Sequence, residues 1–369
     1  MTDVHSPVRT TERLPGRVQR LDTVVVGGGQ AGLAVGQQLA ERDLDFLILD
    51  GERRTGDTWR RRWDSLRLFT PARHSSLPGM VFPAPPNHPP DKDEVAEYLE
   101  RYADRFDLPV LHDSRVDTLA WSGDRYVLRT GDRRFEADNV VVATGAFQRP
   151  RLPAIAARLS AEIHQLHSSE YGSPFTLPEG PVLVVGAGNS GAQIALELSR
   201  FRKVWLAGRD TGYVPRRALG RDVFDWIWPL ATPATAETPL GRRLRSRMQG
   251  GDARIGIPGR LLADSGIVRT PRVSGERGGL PACDDVVLSP RVVIWCTGFA
   301  PDYGWIDLPV TDERGFPRHT RGAAAGWPGL HFLGLRFQHR LTSSLLGGVG
   351  VDAAFIAGEV ARRTALAAA

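Results

Sequence analysis

Two glycine loops of the same design constrain the fold of this chain more than any other feature. The first covers residues 27–32 (GGGQAG) after the apolar run 24–26, and the second covers residues 186–191 (GAGNSG) after the apolar run 182–185. Each reads as a strand, a tight turn and a helix, which is the G-x-G-x-x-G arrangement of a dinucleotide-binding β-α-β unit. One such loop is compatible with an ordinary glycine turn, but two in the same context predict two nucleotide-binding units.

The residues that follow the two loops differ in charge. Asp50 lies 23 positions after Gly27, and Arg209 lies 23 positions after Gly186. An acid at this place accepts hydrogen bonds from a free ribose diol, whereas an arginine binds a 2′-phosphate. Asp50 could instead cap a turn and Arg209 could be a surface charge, but the matched offset favours two cofactors, the second of them NADP.

Within each loop, the first glycine permits the turn, the second admits the pyrophosphate and the third lets the helix pack on the strand. The helix N-terminus then offers free N–H groups to the phosphates. Asn189 and Ser190 suit phosphate binding and plain helix capping equally well. The predicted contacts are Gly27, Gly28, Gly29, Gln30, Ala31 and Gly32 in the first loop, and Gly186, Gly188, Asn189, Ser190 and Gly191 in the second.

A strand ending in Thr-Gly follows each loop, at residues 140–147 (VVVATGAF) and 292–299 (VVIWCTGF). Residues 115–142 alternate apolar and polar side chains around turns, which predicts an antiparallel meander. We therefore predict an α/β fold of two Rossmann-like dinucleotide-binding domains, the second inserted into the first, of the three-layer β/β/α type. The predicted boundaries are a disordered tail at 1–20, a first domain at 21–160 and 300–369, and an inserted domain at 161–299 with a substrate-side segment at 211–280.

Between these units, residues 56–90 show neither a helix nor a strand period and predict a long functional loop. Residues 91–106 predict a helix, with Asp91 and Glu94 as its capping box. Segment 211–280 is less readable and contains the basic run 242–247 (RRLRSR). A membrane-surface helix and a solvated helix face both fit that run, and we favour the second.

Composition excludes several other classes of protein. The net charge is +5, and the basic residues are scattered without interleaved aromatic residues, so we expect no nucleic-acid partner. The two cysteines, Cys283 and Cys296, form no C-x-x-C pair, which argues against a redox dithiol of the thioredoxin-reductase type and against a disulfide framework. The most apolar late stretch, residues 341–360, contains Asp352 and Glu359, so we expect no membrane association and a cytoplasmic protein.

Together with the two loops, several further motifs carry a family resemblance. They are GDTWR at 56–60, WDSLRLFTP at 63–71, ATG at 143–145, HSSEY at 167–171 and WCTGF at 295–299. The chain resembles the class B flavin-dependent monooxygenases, which include the flavin-containing monooxygenases and the plant indole-pyruvate monooxygenases. It is especially similar to their short bacterial CzcO-like branch.

The resemblance implies that the first domain binds FAD, with Asp50 on its ribose, and that the inserted domain binds NADPH, with Arg209 on its 2′-phosphate. It also implies three segments around the flavin: Thr58 and Trp59 with the 66–74 loop, the Thr-Gly strand end, and a closing C-terminal turn. The residues concerned are Thr58, Trp59, Leu68, Thr70, His74, Thr144, Gly145, Ser343, Ser344 and Leu345.

The activity implied is an NADPH- and FAD-dependent monooxygenase that forms a C4a-(hydro)peroxyflavin. It would oxygenate a small lipophilic substrate at N or S, or oxidatively decarboxylate an aryl 2-oxo acid. The flavin carries the chemistry, so no catalytic acid, base or metal is predicted. The expected partners are a small-molecule substrate and dioxygen, and a homodimer is left open.

Two departures from the family pattern keep alternatives open. His167 and Tyr171 fit the motif before the NADP loop, but Ala161 and Ile163 occupy its Phe and Gly places. The active-site Asn of classical flavin-containing monooxygenases has no counterpart between Trp59 and Met80. An NADPH-dependent reductase or oxidase with a non-oxygen acceptor, or a non-enzymatic NADPH-sensing flavoprotein, is therefore the alternative.

Overall fold

The computed structural model of the chain describes residues 18–248 and 253–368. Most of the predicted tail, residues 1–17, lies outside this part of the chain. The first strand already begins at Val18, so the tail prediction is wrong for residues 18–20, which pair with the strand ending at Val142.

The described residues form 8 α-helices, 23 strands and three 3₁₀ helices at Ala72–His74, Ala154–Arg158 and Pro174–Thr176. The helices are α1 (Gln30–Ala40), α2 (Asp57–Arg60), α3 (Lys92–Arg105), α4 (Asn189–Leu198), α5 (Val223–Ala231), α6 (Pro239–Met248), α7 (Gly259–Asp264) and α8 (Val349–Ala368). The strands are β1 (Val18–Val26), β2 (Phe46–Leu49), β3 (Val110–Leu111), β4 (Thr118–Trp121), β5 (Tyr126–Thr130), β6 (Arg133–Val142), β7 (Arg149–Pro150), β8 (His164–His167), β9 (Val182–Val185), β10 (Val204–Ala207), β11 (Tyr213–Val214), β12 (Arg217–Ala218), β13 (Arg221–Asp222), β14 (Arg254–Ile255), β15 (Val268–Thr270), β16 (Gly275–Arg277), β17 (Leu280–Cys283), β18 (Val286–Val287), β19 (Val292–Trp295), β20 (Phe299–Ala300), β21 (His319–Thr320), β22 (Ala323–Ala324) and β23 (Leu330–Phe332).

The first sheet contains five neighbouring parallel strands in the order β23-β6-β1-β2-β3, extended by the antiparallel strands β21 and β22. The central strands are apolar and buried on both faces, as parallel strands between two layers must be. Helices α1, α3 and α8 cover one face. The β4–β5 meander and residues 303–310 cover the other face, so the predicted β/β/α layering is confirmed.

The second sheet is smaller and entirely parallel, with the order β15-β10-β9-β19-β8. Every residue of β9 and β19 is buried. Helix α4 follows β9 as α1 follows β1, so the second Rossmann-like unit predicted from the repeat is present. A short antiparallel ribbon, β7 with β20, joins the two units.

The predicted helix over 91–106 is found as α3. The Asp91 side chain accepts hydrogen bonds from the N–H groups of Asp93 and Glu94, and the Glu94 carboxylate accepts one from the Asp91 N–H. This capping box begins the helix that packs against the glycine-loop helix α1.

Residues 211–248 leave the inserted unit and reach the first domain. Phe224 of α5 stacks on Phe69 with ring centroids 5.9 Å apart, and the Ala236 N–H donates to the His339 carbonyl at 2.7 Å. The basic run 242–247 lies in α6. Within the described ranges, no helix has the length and apolarity to cross a bilayer.

Candidate cofactor and substrate site

The first glycine loop lies at the carboxyl end of β1 and has the shape of a pyrophosphate cradle. Gly27 has a φ of +106°, and a Cβ at Gly32 would overlap the Gly27 carbonyl oxygen. Glycine at these positions brings α1 directly against the turn. Gly29 is the N-cap of α1 without any side-chain cap, and no atom lies within 4 Å of its Cβ position. The uncapped N–H groups of α1 therefore face open space into which a dinucleotide pyrophosphate fits.

Asp50 lies beside this cradle at the carboxyl end of β2. Its side chain is buried, and a Cβ on Gly28 would come within 2.7 Å of its Oδ2 atom. Burial raises the pKa of Asp50, while the N–H groups of Glu52 and Gly28 act in the opposite direction. The carboxylate is thus held against the loop, at the place where a Rossmann acid meets the ribose diol.

The segments predicted to surround the flavin converge on the same edge of the first sheet. The Gln30 side-chain amide donates to the Ser344 carbonyl at 2.9 Å, which ties the start of α1 to the C-terminal turn. Trp59 and Leu68 pack against the cores of both units. Leu345 is half-buried in the same turn and Thr58 is exposed.

Three hydroxyl groups in these segments, those of Ser343, Thr70 and Thr144, are already engaged. Ser343 Oγ accepts hydrogen bonds from the N–H groups of His339 and Arg340 at 3.1 and 2.9 Å. Thr70 Oγ1 and Ser75 Oγ are 2.9 Å apart. Thr144 Oγ1 accepts a hydrogen bond from Gln148, which also bonds the Gly145 carbonyl. These side chains shape the loops, so the backbone is what they present to a ligand.

The second glycine loop repeats the first at the carboxyl end of β9. Gly186 has a φ of +114° and lies against the Cys296 carbonyl, and a Cβ at Gly191 would overlap the Gly186 carbonyl oxygen. Gly188 caps α4 without a side chain. The Ser190 hydroxyl has no hydrogen-bond partner among the described residues, so it is available to a phosphate.

Asn189 has a different use. Its amide donates to the Ala253 carbonyl at 3.1 Å and accepts from the Ile255 N–H at 2.9 Å. The side chain therefore fastens β14 over the start of α4, and only the backbone of Asn189 is left for a phosphate. The sequence left this choice open because β14 lies 64 and 66 positions away.

Arg209 follows β10 and is exposed. Over the described residues it has neither a hydrogen bond nor an ion pair. The adjacent Asp210 is paired with the buried Arg254 at 2.9 Å, and this hydrogen bond lowers the pKa of Asp210. Arg254 thus neutralises the negative charge of the carboxylate next to Arg209. A further arginine, Arg269, donates a hydrogen bond to the Gly208 carbonyl at 2.7 Å. Sequence analysis missed Arg254 and Arg269, because they lie in the irregular 211–280 segment and no local pattern distinguishes them.

His167 is a structural residue. Its Nδ1 accepts a hydrogen bond from the Ser169 N–H at 3.2 Å, so the Nε2–H donates to the Gly298 carbonyl at 3.1 Å. Burial is the main cause that lowers the pKa of His167. The imidazole is neutral and engaged at both nitrogens, so it is no free acid or base.

Arg73 and His74 join the flavin-side loop to α5. Arg73 makes two 2.8 Å hydrogen bonds to the Asp225 carboxylate, and His74 Nε2 lies 2.9 Å from the same group. The His74 ring also stacks on Trp228, with centroids 4.9 Å apart. The imidazole predicted to line the flavin is therefore committed to α5, and the contact fixes α5 as a cover over the loop.

We expect Asp225→Asn to loosen this cover. The Arg73 hydrogen bonds hold the pKa of Asp225 at about 2, below its ordinary 3.8. The stabilisation is therefore complete above pH 3.8 and is lost as the pH falls towards 2. At neutral pH, limited trypsin digestion within 216–248 should be about 5- to 10-fold faster in the variant. Asp285→Asn, at a fully exposed acid, is the control, and equal digestion rates would contradict the role of Asp225.

Comparison with known proteins identifies the class. A family profile described as pyridine nucleotide-disulphide oxidoreductase matches residues 24–234. An uncharacterized CzcO-like oxidoreductase of Geobacillus kaustophilus is 41% identical, over 92% of this chain and 98% of the relative. The rice indole-3-pyruvate monooxygenase YUCCA4 is 29% identical, over 92% and 87%. The solved flavin-containing monooxygenase of Stenotrophomonas maltophilia is 28% identical, covers 94% of this chain and 99% of its own, and superposes with a TM-score of 0.77.

The chain therefore belongs to the pyridine nucleotide-disulphide oxidoreductase family, and it is a flavin-dependent oxidoreductase. Within that class it is a member of the CzcO-like branch of the class B flavin monooxygenases, as the motifs predicted. The predicted cofactors, FAD and NADP, are those of the family, and the glycine cradles fit them. The disulphide in the family name has no counterpart here, because Cys283 and Cys296 are both free thiols.

Proposed function

We propose that the chain is an NADPH- and FAD-dependent monooxygenase. It oxygenates a small lipophilic substrate at N or S, or oxidatively decarboxylates an aryl 2-oxo acid. One observation carries this proposal: two dinucleotide cradles are built alike. Buried Asp50 lies beside one, and Arg209, which has no side-chain partner among the described residues, lies beside the other. The free adenosine ribose of FAD suits Asp50, and the 2′-phosphate of the hydride donor NADPH suits Arg209.

The chain's own residues bind the two cofactors, orient them and keep water out of the site. The N-termini of α1 and α4 would hold the two pyrophosphates, with Asp50 on the adenosine ribose of FAD and Arg209 on the 2′-phosphate of NADPH. The α5 cover, held through Phe69 and Asp225, keeps solvent from the flavin-side loop. Bound reduced flavin supplies the activation of dioxygen and the transfer of one oxygen atom.

Side-chain chemistry at the junction of the two units supports cofactor-based oxygenation. His167 is neutral and engaged at both ring nitrogens. Burial raises the pKa of the Cys296 thiol, at the end of β19, to about 12, so it is no thiolate nucleophile at neutral pH. Neither side chain is therefore available as a base or a nucleophile, so the proposed oxygen transfer depends on the flavin.

The test measures which product is formed for each equivalent of NADPH consumed. The holoenzyme is given NADPH, ¹⁸O₂ and a panel of amines, thioethers and aryl 2-oxo acids, while peroxide release and product mass are measured. We expect one class of substrate to suppress peroxide release and to gain a single ¹⁸O atom. The absence of an Asn between Trp59 and Met80 motivates the alternative. One peroxide per NADPH with every compound would indicate a reductase or oxidase, and flavin binding without turnover of NADPH would indicate a sensor.

A further inference from the structure

Three consecutive arginines after Trp59 have different partners. Arg60 makes ion pairs with Asp57 at 3.1 Å and with Glu100 at 2.7 Å. Arg61 pairs with Glu52 on the surface. The Arg62 guanidinium has no hydrogen bond and no ion pair with any residue of the ranges 18–248 and 253–368.

Arg62 is nevertheless partly covered by the protein. It is half-buried where loop 61–66 packs on the inserted unit, and its guanidinium carbon lies 6.0 Å from the centroid of the Phe299 ring. Burial is the first cause that lowers the pKa of Arg62, and the charge of Arg61 is the second. A half-buried cation without an acceptor costs folding free energy, so its environment favours a bound anion.

The position of Arg62 separates it from the cofactor phosphates. Along the second sheet, Arg209 follows β10 and the glycine loop follows the neighbouring strand β9. Arg62 lies on the other side of β9, beside Phe299 after β19 and near His167 at the end of β8. Neighbouring strands are about 4.8 Å apart, so Arg62 lies roughly 5 to 10 Å beyond the second glycine loop, on the β19 side.

Aromatic rings complete the surroundings of this guanidinium. Phe147 is 60% exposed and meets Phe299 edge to face, with centroids 5.4 Å apart. The two rings follow the Thr-Gly ends of β6 and β19, so they stand at the junction of the two cofactor units. A planar cation next to one exposed ring, Phe147, and one half-buried ring, Phe299, suits a ligand with one carboxylate and one aromatic ring.

We propose that Arg62 binds the carboxylate of a small aryl carboxylate substrate. The guanidinium fork matches a carboxylate with two parallel hydrogen bonds, and Phe147 and Phe299 receive the ring. This inference rests on the proposed function and narrows its substrate class to anions, away from neutral amines and thioethers.

The experiment is calorimetric titration of the FAD- and NADP⁺-loaded protein with phenylacetate and with 2-phenylacetamide, which share the aromatic ring and differ in carrying a carboxylate or a neutral amide. We expect phenylacetate to bind about 10-fold more tightly, equal to ~1.4 kcal/mol. Arg62→Gln should remove this preference, and Arg62→Lys should restore part of it because it keeps the charge. Arg61→Gln, one position away and already paired with Glu52, is the matched control and should keep the full preference.

Two results would overturn the proposal. One is a wild-type protein that binds both probes equally, and the other is a preference that survives in Arg62→Gln. NADP⁺ titration of the same variants provides a further check: a loss of NADP⁺ affinity in Arg62→Gln, with phenylacetate binding intact, would assign Arg62 to the cofactor instead. Melting temperature and FAD content show that each variant is folded. The binding preference is measured without turnover, so a failure of the monooxygenase proposal in the ¹⁸O₂ test is a separate result.

Discussion

Gly29→Ala is expected to leave the fold intact and to weaken FAD binding by about 100-fold or more, equal to ~3 kcal/mol. The Cβ position at Gly29 has no protein atom within 4 Å, and the backbone there has ordinary extended angles. The added methyl group therefore strains nothing in the apoprotein, whose melting temperature should change by less than about 2 °C. It occupies the space through which the flavin pyrophosphate must approach the N-terminus of α1.

Two further glycines make this experiment specific. Gly32→Ala places its methyl group on the Gly27 carbonyl, so it should destabilise the first domain by about 3 kcal/mol or more. Gly358→Ala, in α8, adds a methyl group in open space, so it should leave FAD content unchanged and raise stability by about 0.5–1 kcal/mol, because alanine is the better helix former. Fluorescence titration of apoprotein with FAD, together with thermal melts, separates the three variants. Wild-type FAD affinity in Gly29→Ala would show that this loop is not the flavin cradle.

Arg209→Asp is expected to reverse the preference between NADPH and NADH. The wild-type guanidinium has no protein partner in the described structure, so its full positive charge is available to attract a 2′-phosphate. Its replacement by a carboxylate removes this attraction and adds repulsion, which should raise KM for NADPH by about 100-fold, equal to ~3 kcal/mol. KM for NADH should stay constant or fall, because the new carboxylate can accept hydrogen bonds from the free ribose diol.

Steady-state NADPH and NADH oxidation measures this switch. Arg200→Asp is the control, because Arg200 is an exposed arginine just beyond the C-terminal end of α4, away from the glycine loop. It should leave both KM values unchanged. An equal loss with the two coenzymes in Arg209→Asp would mean that the 2′-phosphate is bound elsewhere. A loss in the Arg200 variant would point to a general effect of charge.

Local motifs account for what could be predicted here. The glycine loops, the residues 23 positions beyond them and the capping box of α3 each depend on backbone geometry within one β-α-β unit or one helix turn. Such geometry requires particular residue types at particular spacings, and therefore leaves a readable pattern. The two-domain α/β fold followed from those patterns, because each unit repeats the other.

Side-chain partners could not be predicted in the same way. His74 was expected at the flavin, yet its ring meets Asp225, which is 151 positions away. Asn189 was equally suited to phosphate and to capping, and its amide instead fastens the 253–255 segment. Ser343 and Thr70 were assigned to the flavin, yet their hydroxyls bond within their own turns. These hydrogen bonds depend on which segment the fold packs beside each side chain, and residue spacing in the sequence does not predict that packing.

By itself, the sequence determined the class of this protein: two dinucleotide cradles, an acid beside one and an arginine beside the other, in a flavin-dependent oxidoreductase. The tertiary structure decided which polar side chains stay available to ligands. Among Arg60, Arg61 and Arg62, only the third is left without an acceptor in the described chain, although the three are chemically identical. The reason is physical. A glycine loop is specified by residues next to one another in the sequence, whereas a charged side chain gains an ion-pair partner only if the fold brings one within about 4 Å.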